Sequence, residues 1–162
     1  MLLESSKIKM ECLESFKGKK SFGDKKLIND LKKLLKIFEK EFKFKGISQL
    51  DLSLTLCGKK RIKSLNRIYR KKDKITDVLS FPVHDFFLKK KLSGYIGLGD
   101  IIICLDVAKT QAKEFKISVR EELIHLFVHG FLHLLGYDHE ISKKEEKKMF
   151  ALESKLISQL KD

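Results

Sequence analysis

Residues 118–139 read SVREELIHLFVHGFLHLLGYDH. Ser118 followed by Glu121 is the S-x-x-E signature of a capping box, so a helix starts here. From Leu123 to Leu135 every residue except Gly130 and three histidines is large and apolar. Apolar side chains occupy all other directions, which predicts a central, buried helix over 118–135. His125, His129 and His133 are four apart. Each step of four turns only about 40° around a 3.6-residue helix, so they form one stripe. Buried imidazoles need partners. Gly136 is a natural helix stop, after which Tyr137 and Asp138 lead to His139. His129 and His133, at i and i+4, can grip one metal ion, and a glycine turn can return His139 to the same point. Three neutral nitrogen ligands leave a fourth position open, the arrangement of a catalytic rather than a structural zinc.

The surrounding sequence supplies a sheet for this helix. Residues 6–13, SKIKMECL, alternate and predict a half-buried strand. Leu27, Leu31, Leu34, Leu35, Phe38 and Phe42 recur at helical spacing over 24–45, with Gly46 as the expected stop. QLDLSLTLC, 49–57, puts Leu50, Leu52, Leu54 and Leu56 on one face of a second strand. Residues 59–70 predict a basic helix with Ile62, Leu65 and Tyr69 inward. DVLSFPV, 77–83, predicts a third strand whose Pro82 favours an edge. Residues 84–93 read as a polar loop, and GYIGLGDIIICLD, 94–106, as a glycine-rich approach to a fourth strand. Helices follow at about 106–116, 118–135 and 142–160. The expected fold is α+β, one domain over 1–162, with a small mixed sheet of about four strands, about five helices, and the histidine helix at the centre.

Composition bounds the function. Lys plus Arg number 35 against 22 Asp plus Glu, a formal net charge of +13, in a chain of 162 residues that is 43% apolar. That excludes a disordered chain and leaves enough length for a real core. The longest apolar stretches fall short of the roughly 20 residues of a membrane span, so no membrane role is expected. The first twenty residues lack an apolar signal core, so a cytoplasmic location is expected. Cys12, Cys57 and Cys104 are odd in number and far apart, which reads as reduced thiols and not a disulfide framework. The charge attracts polyanions, although 31 lysines against four arginines also fits plain solvated faces. Three of the arginines, Arg61, Arg67 and Arg70, lie within ten residues. Arg67 and Arg70 share a helix face, and arginine is the better planar clamp for phosphate.

His129-x3-His133-x5-His139 matches the metzincin pattern H-E-x-x-H-x-x-G-x-x-H at every ligand position. The Glu that acts as general base in those peptidases is replaced by Gly130. Glycine inside a helix costs about 1 kcal/mol relative to alanine. The expected gain is room for something bulky to approach the metal, which argues against ordinary peptide hydrolysis.

HGFLHLLGYDH, 129–139, resembles the H-G-x-L-H-L-x-G-Y-D-H signature of the YbeY family of bacterial endoribonucleases and rRNA maturation factors. LNRIYRKKDKITDVLSFP (65–82), LGDIIIC (98–104) and MFALE (149–153) resemble further family segments in the expected order. The first 45 residues agree only in type, strand then helix. The resemblance implies one zinc ion per chain held by His129, His133 and His139, and a functional arginine at Arg70. It also implies single-strand-specific cleavage of RNA, in maturation of the 3′ end of small-subunit (16S) rRNA and in ribosome quality control. RNA and the ribosome are the expected partners, with ribosomal or assembly-factor proteins among them.

On this reading Arg70 stabilises the charge that develops at phosphorus. Attack by water and attack by the RNA's own 2′-OH are both open. Asp138 is a candidate base but reads better as a turn residue or a carboxylate orienting a histidine. His125 reads as a supporting histidine, and His84 as a loop residue without a role. Asp100 could end a strand near the cleft, and segment 76–81 is expected as the sheet edge flanking it. The alternatives are a non-catalytic zinc-containing assembly factor and, against the missing Glu, a zinc peptidase.

Overall fold

The computed structural model describes residues 1–15, 21–85 and 87–161. Among them are five strands: β1 (Leu2–Glu4), β2 (Ile8–Ser15), β3 (Ile47–Cys57), β4 (Val78–Pro82) and β5 (Gly94–Cys104). The α-helices are α1 (Lys25–Phe42), α2 (Lys59–Arg70), α3 (Leu105–Phe115), α4 (Val119–Leu134) and α5 (Lys143–Ser158). Short 3-10 turns occur at Ser21–Gly23 and Phe87–Lys89, the latter within the expected loop, of which Phe86 lies outside the described residues.

One mixed sheet runs in the order β1-β2-β3-β5-β4. β2, β3 and β5 are parallel, while β1 and β4 pair antiparallel at the two edges. The α+β expectation holds, with one strand more than the four expected. β1 escaped sequence reading because three residues, LLE, carry no period, and only pairing with β2 makes them a strand. β2 runs two residues later than the alternation suggested. Pro82 does end an edge strand, where its missing N–H costs no ladder bond.

Helix α1 stops earlier than expected. Lys43, not Gly46, closes the helix: at φ 55° it is left-handed and its N–H donates to Glu39 O. Phe44 is 3% exposed and turns into the core against Phe42 and Phe87, which pulls the chain off the helical path. Gly46, at φ 77°, lies in the turn into β3.

The main core lies between the sheet and α1, α4 and α5. Leu50, Leu54 and Leu56 of β3, Ile101 and Ile103 of β5, and Phe38, Phe127 and Phe131 of the helices are all buried in it. Phe38 stacks on Phe131 with centroids 3.9 Å apart. A smaller cluster lies on the other face of the sheet, where Ile62 and Leu65 of α2 meet Cys57, Leu79 and Cys104. Tyr69, expected to join them, is exposed, and Asn66 is buried in that helix instead. All three cysteines are free and buried, and burial pushes Cys12 and Cys57 up to about 12. None of the described helices is long and apolar enough to cross a membrane.

Helix α4 lies directly across β4 and β5. Gly130 permits this. A methyl group there would come within 2.8 Å of Ile101 Cγ2 and 3.1 Å of Ser80 Oγ. The space left by the missing side chain is filled by the sheet. This corrects the reading of Gly130 as room for substrate at a metal: the glycine sets how closely the histidine helix approaches the edge strand.

Candidate active site

The ends of α4 carry the chemistry of capping. Ser118 Oγ accepts Glu121 N–H at 3.1 Å, and Glu121 Oε2 accepts Ser118 N–H at 2.9 Å, the reciprocal box read from the sequence. At the other end Gly136 adopts φ 96°, and its N–H reaches His133 O at 3.0 Å. Asp138 Oδ1 accepts Glu140 N–H at 2.8 Å, which tightens the turn that brings His139 back to the helix. Asp138 therefore serves that turn on the rim of the cleft.

His129, His133 and His139 converge. One ring nitrogen from each lies within 4.8 Å of the others. The rings of His129 and His133 are 4.6 Å apart between centroids, and both lie within 5.2 Å of His139. The Nε2 atoms of His129 and His133 approach to 3.1 Å. His139 Nδ1 is buried without a hydrogen-bond partner. Burial, then the neighbouring histidines, lowers His133 to about 4, so it is neutral at pH 7. Three converging imidazoles, one of them with a buried ring nitrogen left unpartnered, are a donor set that fits a metal ion such as zinc.

Glu153 is the residue sequence reasoning missed. The residue is 5% exposed, and its Oε1 accepts the Nδ1–H of His129 at 2.6 Å. Burial alone would raise this carboxyl. The bonds and charges of His125 and His129 overcome burial and bring it down to about 2. An ionised acceptor on Nδ1 fixes the proton there and leaves Nε2 of His129 facing the other histidines. A signal was present: Glu153 stands in the same stripe of α5 as buried Met149 and Leu156, a position a solvated glutamate would not hold.

His125 continues the stripe without joining the cluster. It lies 3.7 Å from Glu153 Oε2 and 3.7 Å from Glu122 Oε2, the latter carboxylate being 2% exposed. Glu153 raises the His125 pKa, burial opposes it, and Glu122 adds to the rise. The supporting role expected for His125 agrees with this placement.

The other wall of the cleft comes from α2 and β4. Arg70 lines it, and its Nη2 donates to Ser80 O at 2.6 Å. Ser80 lies on the edge strand, so Arg70 caps a carbonyl that no neighbouring strand covers. Arg67 is exposed at the same end of α2, away from the cleft lining. Thr76, Val78 and Ser80 line the cleft, so segment 76–81 flanks it as expected, and Lys72, Lys74 and His84 add cationic or titratable groups to its rim. His84 is thus at the cleft and not in an unrelated loop. Asp100 is elsewhere: it accepts from Ser53 Oγ at 2.5 Å on the open face of the sheet, with Asp51 and Tyr95. Strand alternation puts Ile101 toward α4 and Asp100 on the opposite side.

A family model described as endoribonuclease YbeY matches residues 13–161. Curated relatives with that same name include one from Persephonella marina, 43% identical over 143 residues, covering 88% of this chain and 90% of the relative. Another from Aquifex aeolicus is 47% identical over 115 residues, 71% of this chain and 73% of that one. A solution structure of a Thermotoga maritima protein superposes with a TM-score of 0.58 at 30% identity, covering 93% of this chain and 88% of that one.

Proposed function

This chain belongs to the endoribonuclease YbeY family, and on that premise we propose that the histidine cleft is where it cleaves RNA. The chain is an endoribonuclease. His129, His133 and His139 would hold one zinc ion, and Arg70 would act on the phosphate. The observation that carries this reading is the convergence of three imidazoles and one guanidinium on a single cleft. A zinc ion bound there supplies Lewis-acid polarisation of a phosphodiester oxygen.

The chain's own groups do the rest. Glu153 holds a proton on Nδ1 of His129 and so presents its Nε2. Arg70, anchored to the edge strand through Ser80 O, meets negative charge as it develops on the phosphate. The lysines on the rim draw in the polyanion. With Gly130 packed on the sheet, no carboxylate takes the position of the peptidase base, which counts against peptide hydrolysis. The substrate would be single-stranded RNA, with the 3′ end of small-subunit rRNA on the ribosome as the natural target and the cytoplasm as the location.

Chelation should abolish cleavage of single-stranded RNA by the pure protein, and zinc should restore it, with duplex RNA left intact throughout. Cleavage that survives complete metal removal would overturn the reading. Glu153→Gln keeps the shape of the side chain but loses the ionised acceptor. It should weaken zinc binding by about 10–100-fold in a chelator competition, and lower Tm of the metal-free protein through the lost pairing with His125 and His129. Unchanged zinc affinity would remove Glu153 from the site.

A further inference from the structure

Tyr69 is 63% exposed, although its helical spacing predicts an inward position. Its ring meets Phe81 edge-on, with centroids 5.2 Å apart and planes at 64°. The Arg70 guanidinium sits over the same Phe81 ring, with Cζ 5.6 Å from the centroid. Phe81 is half-buried against the cluster of Ile62, Leu65 and Leu79, so the base of this group is anchored. Arg70 belongs to both places: it packs on Phe81 and reaches round the edge strand to Ser80 O in the cleft. Two aromatic rings twelve residues apart in sequence are thereby joined to the cleft through one cation, with Lys72 and Lys74 on the same rim.

We propose that Tyr69, braced by Phe81, is a stacking subsite for an unpaired nucleobase of the RNA, next to the phosphate held by Arg70. The proposal rests on the reading of the histidine cleft as the RNA-cleaving centre. An aromatic face left in water beside a guanidinium is the usual composition of a single-strand platform, because every base has a π-face and needs no hydrogen-bond readout. A base in a duplex is already stacked and paired and cannot offer that face. The subsite therefore contributes to single-strand preference, and it does so without specifying a base sequence.

The test is steady-state cleavage of a short single-stranded RNA by the zinc-loaded protein, alongside a series in which one nucleotide at a time is abasic. Wild-type kcat/KM should fall about tenfold when the abasic position adjoins the cleaved bond on one side. Tyr69→Leu should raise KM about tenfold on the intact RNA, keep kcat within about threefold, and be indifferent to that abasic position. Tyr69→Trp should keep both the affinity and the sensitivity. Because Tyr69 is exposed, Tm should stay unchanged in both variants. Wild-type KM in Tyr69→Leu, or an undiminished abasic effect in it, overturns the subsite. Wild-type cleavage by His133→Ala and Arg70→Ala would instead sink the reading of the cleft, and with it the place of this subsite beside the phosphate.

Discussion

His133→Ala is expected to abolish both zinc binding and RNA cleavage. His133 offers the central imidazole of the three, within 3.1 Å of His129 Nε2 and with its ring 5.1 Å from that of His139. Its burial-lowered pKa of about 4 keeps the imidazole neutral at pH 7, so no imidazolium has to be deprotonated before it binds a metal. Two histidines, one on the helix and one on the turn after it, bind zinc far more weakly than three. Loss of the several kcal/mol of transition-state stabilisation that a zinc ion would supply should lower the rate by about 10³ or more. Metal content and single-turnover cleavage measure the two effects separately. Stability of the metal-free protein should hold, because the hydrophobic contacts of α4 run through Phe127, Phe131 and Leu134, on other faces of the helix. A His133→Ala protein that retains stoichiometric zinc would show that the cluster is not the metal site. One that loses zinc and still cleaves RNA would show that the metal is structural.

Arg70→Ala is expected to keep zinc binding and to lose cleavage. Removing one preorganised donor to a developing oxyanion costs about 10²–10³ in kcat. The guanidinium is outside the histidine cluster, so zinc content should match wild type. Its bond to the Ser80 carbonyl lies at a solvent-accessible edge, where water can replace it, so Tm should change little. Arg70→Lys should recover only a small part of the activity. An ammonium cannot grip Ser80 O, lie over Phe81 and face a phosphate with one rigid fork. Full activity in Arg70→Ala would remove the residue from the mechanism, and a joint loss of zinc would make it a structural support.

Together the two variants separate an enzyme from a non-catalytic assembly factor. An assembly factor would tolerate Arg70→Ala in every cleavage assay because there would be no cleavage to lose.

The residues of the cluster were legible in the sequence because metal ligation on a helix is a local property. His129 and His133 share a face by the period of the helix alone, and Gly136 returns His139 because few other residues adopt φ near 96° at that turn. The same holds for the alternating leucines of β3 and the capping box of α4, each decided within a few residues. β1 was not legible, because its three residues become a strand only on pairing with β2.

Glu153 lies 24 residues from His129, and Arg70 lies ten from Ser80 on another element. No period links such positions. Their partnership follows from where α5 and α2 pack on the sheet. The same packing moved Asp100 to the far face through strand alternation, turned Gly130 against Ile101 and Ser80, and left Tyr69 in water beside Phe81. By itself the sequence determined the α+β class, the order of most elements and the three histidines, since periodicity, capping and turn chemistry act over one or two turns of chain. The tertiary structure alone decided which carboxylate orients a histidine, what Arg70 holds and which aromatic ring faces the solvent, since those depend on contacts between elements whose separation in sequence carries no geometric information.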